Sequence, residues 1–131
     1  MANPITSTAL SGLQAAKTRA NGAASNIANR NSSGRVDDNG NYDGYREVAT
    51  AQSASAGGGV SAFNQPVDPG FVLAFDESDP NASEDGTVGV PSGSYVADAV
   101  QLAEAQRAYE ANLKVLETAD QLSQSLLDID S

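Results

Sequence analysis

The chain has 131 residues, a formal net charge of −10, and neither cysteine nor histidine, which is enough for one domain and too little for two ordinary ones. The acidity excludes a phosphate-binding surface, which needs clustered Lys and Arg, and disfavours docking on an anionic membrane. The missing Cys and His remove disulfides, thiolate chemistry and most hydrolytic triads.

Twenty-two residues are alanine and only 25 are Leu, Ile, Val or Phe. A core built from so few large side chains is thin, so burial is expected to be completed by other chains. No apolar run approaches the ~18 residues of a membrane span. Met1-Ala2-Asn3-Pro4-Ile5 lacks the basic and apolar regions of a secretory signal, so none is expected.

From Pro4 to about Asn29 the composition is alanine-rich. Leu13, Ala20 and Ile27 recur every seven residues, with Ala9, Ala16 and Ala23 beside them and Leu10 one turn before Leu13. This spacing predicts one amphipathic helix with a narrow seam of small residues. Pro4 suits its first turn. Gly12 and Gly22 each cost about 1 kcal/mol in a helix interior, so the helix is expected to need partners.

From about Arg30 to Ser94 the texture changes to Gly, Ser, Asn, Asp and Pro. Four short runs read as strands: Tyr45 to Ala49, Val60 to Phe63, Phe71 to Phe75 and Thr87 to Val90. Asn39-Gly40, Gly57-Gly58-Gly59, Asp68-Pro69-Gly70 and Asp85-Gly86 supply the turns between them. A small antiparallel β-element with long loops is expected, and such a piece is marginal alone.

From Val96 to about Ile129 there is no Gly or Pro. Apolar residues fall three or four apart at Ala99, Leu102, Ala105, Tyr109, Leu113, Leu116, Ala119, Leu122, Leu126 and Ile129. Glu104, Arg107, Glu110, Lys114 and Glu117 alternate in sign on the opposite face, at the i,i+3 and i,i+4 spacings that mark a wet surface. A helix of about 45 Å is predicted. The fold class expected is mainly α with a small β insert. Segments 1–30 and 96–131 are core helices forming a coiled-coil-like pair, and 31–95 is an outward-facing insert. Both ends are expected to fray in the isolated chain.

Two end segments carry a specific likeness. Ser11-Gly12-Leu13-Gln14-Ala15-Ala16, followed by Ser25-Asn26-Ile27-Ala28-Asn29, resembles the N-terminal signature of the bacterial flagellar axial proteins of rod and hook. Ala105-Gln106-Arg107-Ala108-Tyr109-Glu110-Ala111-Asn112, continuing through Leu113-Lys114-Val115-Leu116-Glu117, resembles that family's C-terminal signature. The short middle, with Gly58-Gly59-Val60, Asp79-Pro80 and Asp85-Gly86-Thr87-Val88, is similar to the proximal-rod members. The chain departs from the pattern at Asn31-Ser32-Ser33-Gly34, where the family has a Thr-containing turn. It departs again at Asp98-Ala99, where the family tends to have a Glu-Met pair.

The resemblance implies a structural, non-enzymatic subunit of the proximal rod, the drive shaft that links motor to hook. Its terminal helices would form the D0-type axial core. It would be exported unfolded through the flagellar type III apparatus into a periplasm-spanning rod, and would contact copies of itself, other rod proteins, and base-ring or export-gate adaptors. The subunit contacts implied fall on Leu10, Leu13, Ala20, Asn26, Ile27, Asn29, Leu102, Gln106, Arg107, Tyr109, Asn112, Leu113, Leu116 and Leu122. Asn26, Asn29 and Asn31 equally suit a helix C-terminus and turn, and Tyr109 equally suits a core. A different class of reading is an adaptor or chaperone-like helical protein whose acidic surface holds a basic partner.

No cofactor or metal is expected. An EF-hand loop begun at Asp37 puts Tyr42 where glycine is needed and Val48 where a bidentate glutamate is needed; begun at Asp79 it puts Glu84 and Val90 there. No nucleophile elbow, phosphate-cradling glycine loop or burial-tuned carboxylate pair is visible.

Overall fold

The computed structural model describes residues 3–131; Met1 and Ala2, which open the first predicted segment, lie outside the described residues. The elements in order are α1 (Pro4–Ala28), β1 (Val48–Ala54), β2 (Val60–Pro66), β3 (Phe71–Phe75), β4 (Thr87–Pro91) and α2 (Tyr95–Ile129). Each helix is started by a side chain that accepts an otherwise orphaned N–H. Asn3 Oδ1 accepts from Ile5 N at 3.0 Å, with Pro4 following in the first turn. Ser94 Oγ accepts from Ala97 N at 3.3 Å. At the other end of α1, Asn29 N donates to Ser25 O at 3.1 Å and Asn29 Nδ2 donates to the same carbonyl at 2.8 Å. Asn29 is therefore a helix-terminating residue.

The helices run antiparallel. Arg19 of α1 reaches Gln101 and Glu104 of α2, both at 3.1 Å, and Asn26 reaches Asp98 at 3.0 Å. Near the opposite end Ile5 lies beside Val115 and Leu122. The contact is lined by small residues: Ala9, Ala16 and Ala23 on α1, with Ala105 and Ala119 on α2, are all buried. The seven-residue recurrence read from the sequence thus marks the face that α1 turns to its partner.

Gly12 explains why α1 tolerates a glycine there. A Cβ on Gly12 would stand 2.5 Å from Asn112 Oδ1, and Asn112 is itself held by Nδ2 donating to Ala108 O at 2.8 Å. Gly12→Ala is therefore expected to lower thermal stability by about 1–2 kcal/mol, in spite of the ~1 kcal/mol gained in helix propensity. Adding Asn112→Ala is expected to recover most of that loss. A stabilised Gly12→Ala single variant would contradict the close approach.

The insert forms two separate hairpins rather than the single β-element expected. β1 pairs with β2 from Val48↔Pro66 to Ala54↔Val60, and β3 pairs with β4 from Phe71↔Pro91 to Phe75↔Thr87. Gly57, Gly58 and Gly59 all have positive φ at the first turn, a region glycine enters at no steric cost. The first hairpin lies on α1. Val60 N donates to Ser11 Oγ at 3.1 Å, and Asn64 Nδ2 donates to Thr18 O at 3.0 Å. Gly22 admits this second contact, since a Cβ there would meet Asn64 Oδ1 at 2.8 Å.

β1 starts at Val48 and runs on to Ala54, so it begins three residues later and ends five residues later than the predicted Tyr45 to Ala49. Its second half, Ala51-Gln52-Ser53-Ala54, has little strand propensity and is extended by pairing with β2, an instance of tertiary context overriding intrinsic preference. The second hairpin is completed by Gly34, which exchanges two 2.9 Å bonds with Gly89 on the outer side of β4. Tyr42 stacks on Phe71 with ring centroids 4.3 Å apart, and the Arg46 guanidinium lies over both rings at 5.7 and 5.4 Å.

Candidate assembly surface

One buried polar knot ties the helix pair to the insert. Asn26 is 3% exposed and Asp98 6%. Asn26 Nδ2 donates to Val48 O at 2.9 Å and to Asp98 Oδ1 at 3.0 Å. Its Oδ1 accepts from Val48 N at 2.9 Å and from the Tyr45 hydroxyl at 2.8 Å. All of the amide's usual bonding capacity is thereby used. Since Tyr45 has one proton to give, Ser25 Oγ, 2.9 Å away, donates to it. The other oxygen of Asp98 forms an ion pair with Arg30 Nη2. Arg30 Nη1 donates to Ser92 O at 2.7 Å, and Ser92 Oγ donates to a Glu47 carboxylate oxygen at 3.1 Å.

Asn26 mimics a neighbouring strand for Val48, offering one donor and one acceptor to its backbone. That is why the first hairpin begins where it does. The end of α1, the lead-in to β1, the exit of β4 and the start of α2 all meet within this knot. Asp98 also sits in the first turn of α2, where a negative charge is favoured by the helix dipole.

The acidic loops bond internally. Asp37 accepts from the backbone N–H of Asn39 and Asn41 at 2.9 and 2.8 Å and from Asn41 Nδ2 at 2.8 Å. The Asn41 side-chain bond is the main reason its carboxyl is held below the ordinary value. Asp76 with Ser78 and Asp85 with Thr87 repeat this arrangement, and each carboxyl is likewise lowered, first by the side-chain hydroxyl bond. These carboxylates shape turns. Among the described residues no group of three or more acidic, His or Cys side chains is arranged to hold a metal ion.

The helix pair leaves large apolar side chains on both of its flanks. On one flank Ala16, Lys17 and Ala20 of α1 and Leu102, Ala105, Gln106 and Tyr109 of α2 line a groove of about 310 Å³. Tyr109 and Leu113, one turn apart, are 42% and 48% exposed, and Leu10 of α1 is 49% exposed. On the other flank Ile5, Ala111, Val115, Thr118 and Leu122 line a groove of about 520 Å³. Beyond it, residues 120–131 are exposed throughout, including Leu122, Leu126, Leu127 and Ile129. At 1.5 Å per residue, about 10 Å of α2 continues past Leu122, which lies beside Ile5, with no described partner.

The residues singled out from the sequence therefore divide. Ala20, Leu102, Gln106 and Tyr109 come together in one groove, and Leu10 and Leu113 are exposed, while Leu122 belongs to the opposite flank. Leu13 is buried against the chain's own second helix, and Ile27, Asn112 and Leu116 are half-buried. Asn26 is fully engaged in the intrachain knot and Asn29 ends α1. Arg107 is exposed, and Gln106 Nε2 donates to Glu110 Oε1 at 3.2 Å. Nothing in the structure assigns Asn31 a contact.

Arg30, Tyr45, Ser92 and Asp98 were not singled out as site residues. Only Asp98 carried a signal, as a departure from the family pattern at the start of the second helix. The others lie far apart in sequence, and their meeting is a property of the fold.

Paired terminal helices, small residues between them and large apolar residues left outside make a helical structural protein with apolar surface of the kind that marks protein–protein contacts. Residues 95–129 match the family model described as "Flagellar basal body rod FlgEFG protein C-terminal". The flagellar basal-body rod protein FlgC of Aquifex aeolicus is 48% identical over 46 residues, covering 35% of this chain and 34% of that relative, about a third of its length. FlgC of Agrobacterium fabrum is 31% identical over 125 residues, covering 91% of this chain and 88% of that relative. The chain belongs to the FlgC family of flagellar basal-body rod proteins, a structural family.

Proposed function

We propose that the chain is a structural subunit of the proximal rod. It assembles helically with copies of itself and with other rod proteins into the shaft that carries torque from motor to hook. The observation that carries this reading is the pair of terminal helices with uncovered apolar flanks. Its buried seam is too small-sided to form a generous core, while Tyr109, Leu113, Leu122 and Leu126 remain in water. Apolar surface of this extent is stabilised by burial against neighbouring protein.

In this reading the helix pair supplies a coiled-coil-like D0-type core and the two hairpins face outward. The chain crosses the inner membrane through the flagellar type III apparatus and meets base-ring or export-gate adaptors at the rod's foot. Family membership supports the rod as its place.

The test is made in the bacterium that encodes the chain. Deleting the gene is expected to abolish swimming, and an epitope-tagged copy that restores swimming is expected to co-purify with detergent-extracted hook–basal bodies. A motile, complemented strain whose purified basal bodies lack the tagged chain would sink the proposal.

A further inference from the structure

The second hairpin has one covered edge and one open one. Asp76 N donates to Gly86 O at 2.9 Å and Ser92 N donates to Gly70 O at 3.1 Å. With the register Val72↔Val90 and Ala74↔Val88 between them, the even-numbered residues of β3 face β4. In an antiparallel ladder the alternate residues then point their N–H and C=O groups the other way. Those residues are Phe71, Leu73 and Phe75, and no backbone or side-chain group among the described residues bonds to them. The outer side of β4, by contrast, is closed by Gly34.

The strand at this open edge is apolar. Val72, Leu73 and Phe75 are 51%, 62% and 69% exposed. It carries none of the usual protections of a free edge, such as a lysine, a proline or a bulge within the strand. The strand itself carries no charge: Asp76, Glu77 and Asp79 follow its end, while Asp68 precedes it and the Arg46 guanidinium lies over Phe71 at its start.

We infer that the open edge of β3 receives an extended segment of a different protein chain, added as a further strand, with Lys or Arg placed against Asp76, Glu77 and Asp79. Once water is excluded, three donor–acceptor pairs repeating every second residue are satisfied together only by another extended backbone. The identity of the added chain rests on the proposed role in an open assembly. A second copy laid antiparallel would make a two-fold contact, which closes after two chains and does not propagate. A second copy laid parallel would put like acidic ends side by side, which is destabilising. A basic, apolar-alternating strand from another chain avoids both.

Hydrogen exchange read by mass spectrometry decides the matter. The amides of Phe71, Leu73 and Phe75 are expected to exchange freely in the isolated chain and to slow by at least about tenfold in purified basal bodies. Leu73→Pro removes a donor that the hairpin itself does not use, and proline is tolerated at edges. This variant is expected to keep the wild-type circular dichroism while its incorporation into basal bodies falls at least tenfold. Unprotected amides in assembled material overturn the inference, as does a folded Leu73→Pro chain that incorporates normally.

If that variant fails to fold, the exchange comparison on the natural chain still decides. Phe75→Cys on this cysteine-free chain supplies a cross-linking handle; a cross-linked homodimer would also overturn the inference. A chain present in basal bodies with an unprotected β3 removes only the edge pairing, whereas a chain absent from them removes the rod role itself.

Discussion

Asp98→Ala is expected to lower the unfolding free energy of the isolated chain by about 3 kcal/mol, seen as a reduced urea midpoint at unchanged slope. The carboxylate accepts from Asn26 and pairs with Arg30 in a site where both partners are largely withdrawn from water. Removing it leaves a guanidinium without its counter-charge and an amide without one acceptor, and unmade bonds of buried groups cost more than made ones return. Domains are stable by only about 5–15 kcal/mol, so the loss is a large share of the total. Asp98→Asn keeps an oxygen for Asn26 and is expected to lose less.

Pairing Asp98→Ala with Arg30→Met removes both charges. The double variant is expected to be more stable than the sum of the two single losses implies, because these sites share one network. Additive losses would show that the knot does not act as a unit. The effect reaches beyond stability, since the same residues fix where the hairpins sit relative to the helix pair.

Tyr109→Ala is expected to behave in the opposite way. The ring is 42% exposed on the flank of the helix pair, so its loss costs the isolated chain less than about 1 kcal/mol. At an interface, a buried aromatic anchor contributes about 2 kcal/mol or more, which is roughly thirtyfold in affinity. Incorporation of the tagged variant into basal bodies is therefore expected to collapse while its circular dichroism and melting profile hardly change. Normal incorporation would remove Tyr109 from the contact surface. Glu110→Ala, on the wet side of the same turn, serves as the control expected to assemble normally.

These two residues show how differently structure and assembly could be read beforehand. Tyr109 stood out as one of a row of apolar positions three and four apart, so its face was legible. By sequence that row reads as a single stripe, and in the fold it splits. Ala105 and Ala119 are buried against α1, whereas Tyr109, Leu113 and Leu122 lie beside the contact. Alanines at the line of contact let two helices approach closely, and large side chains then have no room between them and are displaced to the flanks. Periodicity gives the direction in which a residue points, not the distance at which a partner stops.

Gly12 and Gly22 make the same point from the other side. As sequence they were weaknesses of a helix. In the fold each is the place where an asparagine, Asn112 or Asn64, comes against α1.

The two helices, the small-residue seam of α1, the glycine turns and the strand Phe71 to Phe75 are legible in the residues alone, because all of these depend on neighbours a few residues apart. The sequence also carried the signatures at both ends by which family membership could be anticipated. The tertiary structure decided what those elements do with one another. α1, with 25 residues, covers only part of the 35-residue α2, and Asn26, Arg30, Tyr45, Ser92 and Asp98 meet though they are spread along the chain. Coverage depends on partner length and register, and a buried polar network depends on groups brought together from far apart. Neither is written in any local pattern of residues.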